Sequence, residues 1–494
     1  MIRLKINGTE VRIAEGATLL DAAQAAGVEI PTLCHLKETG ALTSCMICAV
    51  RDKGSGRLLP ACAAKAADGM EIDTDCEKVH EARREVLHML LDEHVGDCEA
   101  PCSRICPAGL NIPRMLRHME KGESEAAARR AKLDLIFPAT LGHVCTAPCE
   151  RVCRRGQYDT AIAIRRSHRD ASMPFLNAAA GQDARRMPSG LSVAVMGAGL
   201  AGMAAAWECA LNGHACRVYE KSDRAGAALR ALPPEKLPAG VLDAEIASVR
   251  ALGVEFVFNC EASPAALIEE HDAVVVACSL SFTPHAKLFS AREEALHVRA
   301  VGSGKKAARE VNAFLSDQPA PSAEKRFNSS IGRLQPDELP AYAVERRNNM
   351  GQVPSPAGPN VGQTFLSANS VTEAARCLHC DCTKPLSCKL RRYAEQYGLA
   401  PQITRTMERL PVSPVQATDK VLFEPGKCIK CGICVELVRA SGLDAGIAFA
   451  GRGLDSHLQV PFGAGLAKGL GDVAERCVQA CPTAALSFRD TEES

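Results

Sequence analysis

Cysteine is the residue through which this chain can do chemistry. The 494 residues include 24 cysteines, most of them in groups. Cys34, Cys45, Cys48 and Cys62 lie near the start, and Cys98, Cys102, Cys106, Cys145, Cys149 and Cys153 follow. Cys377, Cys380, Cys382 and Cys388 form a third group, and Cys428, Cys431, Cys434, Cys477 and Cys481 a fourth. The opening residues 1–8 contain no apolar run of signal-peptide length, so a cytoplasmic chain with reduced thiols is expected and disulfides explain the grouping poorly. In such a compartment grouped thiols are zinc ligands, redox thiols or iron–sulfur ligands, and spacing decides among them.

The first group reads C-x10-C-x2-C-x13-C. Zinc favours two compact CxxC knuckles, whereas Cys34 and Cys62 stand alone; a loop carrying three thiolates suits a 2Fe-2S cluster. In the second group Cys106 precedes Pro107, a feature of ferredoxin ligand runs whose last cysteine serves a second cluster. Cys377, Cys380, Cys382 and Cys388 are too close together to be a buried core, and either a 4Fe-4S cluster or zinc is chemically allowed. Cys428, Cys431 and Cys434 with the distant Cys481-Pro482 give a 4Fe-4S frame, with Cys477 as a spare thiol or alternative ligand. Cys76, Cys209, Cys216, Cys260 and Cys278 stand apart, and the last four read as small buried hydrophobes.

A second kind of site lies at Gly197-Ala198-Gly199-Leu200-Ala201-Gly202, with Glu220 closing the next strand. Glycines in this pattern let backbone approach a pyrophosphate at a helix N-terminus, and the acid accepts from a ribose hydroxyl. No nucleophilic Ser/His/Asp or Cys/His arrangement stands out, so no catalytic residue is assigned.

Elements must hold these groups. A β-hairpin over 2–13 turns at Asn7-Gly8, and a short helix follows at 19–26. Apolar periodicity predicts a helix over 80–94, leading into the second group, and helical structure over 111–135, so that the two cysteine triplets flank a helical hairpin. Strands are expected at 192–196, 215–220, 254–258 and 273–277, with a helix at 203–211. Residues 316–369 shift to Pro, Ser, Asn and Gln and read as a linker or wrapping segment. Lys plus Arg and Asp plus Glu balance at 58 each, so no net basic field favours nucleic acid. The apolar stretch 191–211 contains Glu208 and a glycine turn, and no membrane span is expected.

The first group and its hairpin–helix context resemble the ferredoxin-like domain of the large iron–sulfur subunit of complex I and of iron-only hydrogenases, over about residues 1–75. His94-x3-Cys98 matches that subunit's histidine-first spacing. The second group resembles the N-terminal domain of the glutamate synthase small subunit and dihydropyrimidine dehydrogenase. That resemblance implies one 4Fe-4S cluster on Cys98, Cys102 and Cys153 and another on Cys106, Cys145 and Cys149. Where relatives carry a further cysteine this chain has Val95, so His94 either replaces it or is a solvated helix-end histidine. Alignment with the family places His168 as fourth ligand of the second cluster. Residues 241–246 extend the glutamate synthase likeness into the glycine-rich unit, which implies an FAD half. The usual NADPH domain is missing, the Ala-Thr-Gly of the flavin site reads Cys278-Ser279 after Ala277, and its Gly-Asp reads Arg292-Glu293. FAD therefore stays open beside a scaffold role. Segments like 376–382 follow the flavin half in similar proteins, and residues 428–486 resemble the single-cluster segment of the complex I subunit and formate dehydrogenases.

The expected chain is multidomain α+β and α/β: a β-grasp 2Fe-2S ferredoxin domain (1–76), a helical double-cluster domain (77–188), and a Rossmann-like FAD/NAD(P)-binding half (189–318). A linker (319–370), a four-cysteine segment (371–400) and a C-terminal ferredoxin-like 4Fe-4S domain (401–494) complete it. Its cofactors are one 2Fe-2S cluster and two to four 4Fe-4S clusters. The expected role is an oxidoreductase subunit passing electrons between a diaphorase-type NAD(P)H or flavin partner and a hydrogenase or formate dehydrogenase. An NAD(P)H-dependent flavoprotein and a zinc-stabilised scaffold are the competing readings.

Overall fold

In the computed structural model, residues 1–177, 182–279, 282–318, 326–344, 368–400, 408–443 and 445–488 are described. The chain divides into two units: residues 1–99, 324–348 and 381–494 form one, and residues 100–323 and 349–380 the other. The divisions at 99/100 and 380/381 fall inside the second and third cysteine groups.

In the first unit, apolar alternation buries Leu4, Ile6 and Val11 while Lys5 stays exposed. Strands Ile2–Ile6 and Thr9–Ile13 pair antiparallel about Asn7 and Gly8, both at positive φ as a tight primed turn requires. The sheet runs Thr9–Ile13, Ile2–Ile6, Glu71–Asp73, Ala49–Asp52, Leu58–Pro60. Helix Leu19–Ala25 packs on it, started by a reciprocal Thr18–Asp21 capping box. Helix Glu77–Asp92 starts three residues before the expected 80, its first turn closed by the His80 N–H on the Cys76 carbonyl at 3.1 Å. The C-terminal part of this unit holds the antiparallel sheet Gln416–Ala417, Val421–Phe423, Leu486–Phe488 and helices Ile433–Ala440 and Ala474–Ala480. Residues 326–344, expected to be linker, bury Phe327, Ile331 and Leu334 here; the rest of the 319–367 segment lies outside the described residues.

In the second unit the helical stretch predicted at 111–135 is a hairpin of Ile112–Glu120 and Ser124–Leu135, broken at Gly122. Helices Pro138–Val144 and Ile164–Ser172 pack closely together. A Cβ on Gly142 would lie 2.3 Å from Arg169 Cβ, so only glycine allows that approach. The parallel sheet runs Glu255–Val257, Ala215–Tyr219, Ser192–Met196, Ala273–Val276, Leu288–Ser290. Helices Leu200–Leu211 and His297–Leu315 pack against it and each other. The fifth strand, Leu288–Ser290, was not expected. The chain passes from it straight into the closing helix, with no second nucleotide domain among the described residues.

Of the isolated cysteines, Cys209 and Cys216 are buried as expected, but Cys260 is half-buried and Cys278 exposed. Both follow strands, where the chain has already left the sheet interior. No helix among the described residues is long and apolar enough to cross a membrane.

Candidate metal centres and the dinucleotide loop

Cys34, Cys45, Cys48 and Cys62 are all at most 5% exposed, and Cys48 Sγ lies 3.4 Å from Cys62 Sγ. Thr43 and Met46 take positive φ, which bends the loop around its thiols. Thiol pairing favours ionisation of one member: pairing with Cys45 lowers Cys34, and pairing with Cys62 lowers Cys48. Ser44 Oγ donates to the Cys431 carbonyl at 3.1 Å, so the first group adjoins the last within one unit.

Cys428, Cys431, Cys434 and Cys481 line a single apolar cavity with Phe423 and Leu458. Burial pushes the Cys428 thiol up to about 12. Cys477 does not line the cavity; it is fully buried behind it, with Sγ 3.9 Å from the Cys434 carbonyl oxygen. The extra thiol is therefore a core residue.

Cys106, Cys145 and Cys149 line a second cavity together with His168, Leu141 and Ile164. His168 is 4% exposed, and the 2.8 Å contact between its Nδ1 and the Pro138 carbonyl requires the proton on Nδ1, since a carbonyl only accepts. Burial lowers its pKa to about 4, leaving a neutral imidazole with a lone pair on Nε2, the form that ligates metals.

The remaining thiols assort differently from the sequence expectation. Cys102 shares its surroundings with Cys153, as expected, but also with Cys377 and Cys380, whose charges act on it after burial itself. Cys98 instead meets Cys382, whose N–H donates to the Cys98 carbonyl at 3.2 Å. Burial and then Cys382 raise Cys98 to about 11, and burial, Cys382 and Cys98 raise Cys388 to about 12. His94 is 8% exposed, so it is not a solvated helix-end residue; Val95, at the missing-thiol position, instead donates its N–H to the Gly426 carbonyl at 2.6 Å.

One local device recurs at three of these places. The N–H groups of Ala147, His379 and Lys430 each donate to the sulfur two residues back, on Cys145, Cys377 and Cys428, at 3.4 Å. All three donors are non-glycine residues at positive φ, a conformation that costs about 1–2 kcal/mol. A sulfur held this way is stabilised as a thiolate, which is the form a cluster takes. The residues therefore fit iron–sulfur clusters.

Two charged residues near the Cys98 group carried no motif. Lys427, 2% exposed and ion-paired to Glu424, lowers the Cys98 and Cys382 thiols, and Arg391, donating to Glu99 at 2.8 Å, also acts on Cys98. Only their tertiary position marks them.

At the glycine loop, Gly197 has φ 100° and a Cβ on Gly202 would lie 1.9 Å from the Gly197 carbonyl, as a dinucleotide turn demands. Glu220 accepts from Ala198 N–H at 2.7 Å and Ser222 N–H at 2.9 Å. Glu293 accepts from Ala201 N–H at 2.6 Å, with its carboxylate against Gly199. That carboxylate takes the place and the charge of a pyrophosphate at the helix N-terminus. With Glu293 so placed, the loop's amides are not open to the pyrophosphate of FAD.

Three family models match parts of the chain. A 2Fe-2S iron–sulfur cluster binding domain covers residues 1–77, the 4Fe-4S domain II of dihydropyrimidine dehydrogenase covers 75–176, and an NAD(P)-binding Rossmann-like domain covers 195–238. The beta subunit of an NADP+-dependent formate dehydrogenase from Moorella thermoacetica is 32% identical over 208 residues, 37% of this chain and 29% of that protein. The beta subunit of an NADPH-Fe(3+) oxidoreductase from Geobacter sulfurreducens is 28% identical over 199 residues, 39% of this chain and 29% of its own length. A component of the NADH-quinone oxidoreductase of Rhizobium meliloti is 38% identical over 132 residues, 27% and 15% of the two chains. The chain thus spans less than a third of each of these relatives. An NAD+-reducing [NiFe]-hydrogenase structure aligns over 100% of this chain and 89% of its own at 13% identity and a TM-score of 0.38, too low to bear on the fold. The chain carries 2Fe-2S and 4Fe-4S domains and a Rossmann-like domain of the NAD(P)-binding type, and its relatives are oxidoreductase subunits.

Proposed function

We propose that this chain is a cytoplasmic iron–sulfur electron-transfer subunit of a multisubunit oxidoreductase. It passes electrons between a diaphorase-type NAD(P)H or flavin partner and a hydrogenase, formate dehydrogenase or similar catalytic subunit. In this reading the core is glutamate-synthase-like, without the NADPH domain, and carries complex-I-like cluster modules at both ends. The observation that carries it is the succession of buried thiol groups, two of which adjoin through the Ser44–Cys431 hydrogen bond.

When bound, the clusters supply one-electron transfer. The chain's residues hold and tune them. Cys34, Cys45, Cys48 and Cys62 hold the 2Fe-2S cluster, and Cys428, Cys431, Cys434 and Cys481 hold a 4Fe-4S cluster. Cys106, Cys145 and Cys149 with His168 hold another. Cys98, Cys102, Cys153, Cys377, Cys380, Cys382, Cys388 and His94 are the ligands of two more. Apolar walls such as Phe423 and Leu458 exclude water, and Lys427 supplies a fixed positive charge that favours the reduced state beside it.

Gly197, Gly199, Gly202 and Glu220 keep the dinucleotide loop's shape, but Glu293 in the loop argues against the NAD(P)H-dependent flavoprotein alternative and for a spacing role. Against a zinc scaffold stand the cavities that two of the groups line, one with Phe423 and Leu458 around Cys428, Cys431, Cys434 and Cys481, and one around Cys106, Cys145 and Cys149, each suited to a group larger than a single ion. Anaerobic purification followed by NAD(P)H–viologen assay tests the reading. The chain alone is expected to show no robust turnover, and robust turnover would overturn the relay role. Acid-labile sulfide near zero would leave only zinc.

A further inference from the structure

We propose that residues 377–388 do not hold one cluster but donate to two: Cys377 and Cys380 complete a four-thiolate site with Cys102 and Cys153, while Cys382 and Cys388 join Cys98 and His94 at another. This rests on the electron-transfer reading and alters its wiring.

The first pair is fixed in the second unit. Helix Ala368–Ala375 leads into Arg376, which is 2% exposed and donates to the Thr160 carbonyl at 2.7 Å, Asp159 at 3.1 Å and Glu373 at 2.7 Å. Glu373 also accepts from Ala163 N–H at 2.8 Å. These bonds clamp Cys377 beside the segment that follows Cys153. His379 contacts Glu120 at 3.2 Å and holds the far side of the turn. Cys377 belongs to the buried core of this unit, against which Cys102 and Cys153 pack. Helices Pro101–Ile105 and Pro148–Arg151, which carry Cys102 and precede Cys153, are themselves in contact.

The second pair is fixed in the first unit. Cys382 N–H donates to the Cys98 carbonyl, and Lys384 reaches the Val478 and Cys481 carbonyls at 2.5 and 3.4 Å. Lys389 N–H donates to the Pro482 carbonyl at 2.9 Å, and Arg391 bonds Glu99 at 2.8 Å and the Phe327 carbonyl at 3.0 Å. Cys388 sits in this unit's core, with Cys98 packed against it. His94 shares the small turn at Gly96 with Lys427: a Cβ there would meet Lys427 Cγ at 2.8 Å and His94 Nε2 at 3.2 Å. That places a buried imidazole beside the cation that acts on Cys98 and Cys382. After burial, the charges acting on Cys102 are led by Cys377, Cys380 and Cys153, with Cys149 behind them, and the thiols acting on Cys388 are Cys382 and Cys98.

The test uses the full chain, purified anaerobically, as wild type and as Cys102→Ser, Cys380→Ser, Cys98→Ser and Cys382→Ser. Electron paramagnetic resonance of the reduced proteins is read with iron and sulfide content. Cys102→Ser and Cys380→Ser are expected to abolish or shift one and the same 4Fe-4S signal. Cys98→Ser and Cys382→Ser are expected to change a second, and each variant keeps its other signals at wild-type intensity, which shows that it has folded. Cys377→Ser and Cys388→Ser repeat the comparison should either of the other variants fail to fold. If Cys380→Ser and Cys382→Ser alter the same signal, or if Cys380→Ser alters none, the split is wrong. Wild-type protein without sulfide would instead overturn the electron-transfer reading itself.

Discussion

Lys427 is buried, and its positive charge acts on Cys98 and Cys382 more strongly than the opposing Glu424 does on Cys382. Removing it alone would strand a buried Glu424, so the informative change is the double variant Lys427→Met, Glu424→Gln. At an effective dielectric of about 20, a unit charge within roughly 8 Å contributes on the order of 2 kcal/mol, and the loss of Glu424 offsets part of it. The midpoint potential of the cluster at Cys98 is expected to fall by on the order of tens of millivolts in a redox titration, with the others unmoved. Glu293 makes a second residue-scale case. Burial raises its pKa, while the Ala201 and Gly202 amides favour its charged form. Wild-type chain is expected to bind FAD weakly in a fluorescence-quenching titration, and Glu293→Ala to bind at least about tenfold more tightly as the like charge is removed. Tight wild-type binding would mean that the carboxylate leaves the loop.

At the scale of elements, the approach of Pro138–Val144 to Ile164–Ser172 depends on one absent side chain. Gly142→Ala would force the helices apart at Arg169, a typical overpacking cost of about 1–3 kcal/mol. Because Cys145 caps the first of these helices and His168 lies on the second, the variant is expected to lose the cluster proposed at Cys106 before the 2Fe-2S cluster, as read by thermal loss of each signal. The 326–344 strap is held by charge. Glu338 accepts from Arg409 at 2.6 Å and from the N–H groups of Gln335 and Val412, and these hydrogen bonds, led by Arg409, hold its carboxyl at about 2. A depressed carboxylate contributes stability that is present above its unfolded value near 4.5 and lost as pH falls toward about 2. Glu338→Gln is therefore expected to lower stability at pH 7 by up to about 3 kcal/mol in denaturant unfolding, with the deficit shrinking below about pH 4.

For the whole molecule, the proposed ligand sets would hold one 2Fe-2S and four 4Fe-4S clusters, the upper end of what spacing alone allows. Complete anaerobic loading is expected to give about eighteen iron and eighteen sulfide per chain. Totals near ten would show that two of the 4Fe-4S sites are not filled. In the proposed relay role the chain needs no nucleophile and no hydride site, since the two-electron chemistry of the reactants would belong to partner subunits.

The local features were legible because their physics is local. Asn7-Gly8 forces a tight hairpin, the glycine pattern at 197–202 forces a strand–turn–helix, and Cys428-x2-Cys431-x2-Cys434 bends three thiols around one point. His168 was reachable by alignment. Spacing could not say which distant thiols meet: Cys102, Cys153 and Cys377 are separated by 50 residues or more, and what gathers them is the packing of helices and the Arg376 clamp. The grouping of 377–388 into one set was the natural reading of neighbours in sequence, but neighbouring thiols can be drawn into different cores. Likewise Cys477 and Cys481 look equivalent along the chain, and only burial sends one behind the cavity and the other into it. The sequence by itself determined that the chain carries 2Fe-2S and 4Fe-4S binding domains and a Rossmann-like unit, since these depend on residue type and short-range spacing. Tertiary structure alone decided which thiols share a core, the buried cation beside Cys98 and the acid in the dinucleotide loop, because each requires long-range contacts that no local pattern encodes.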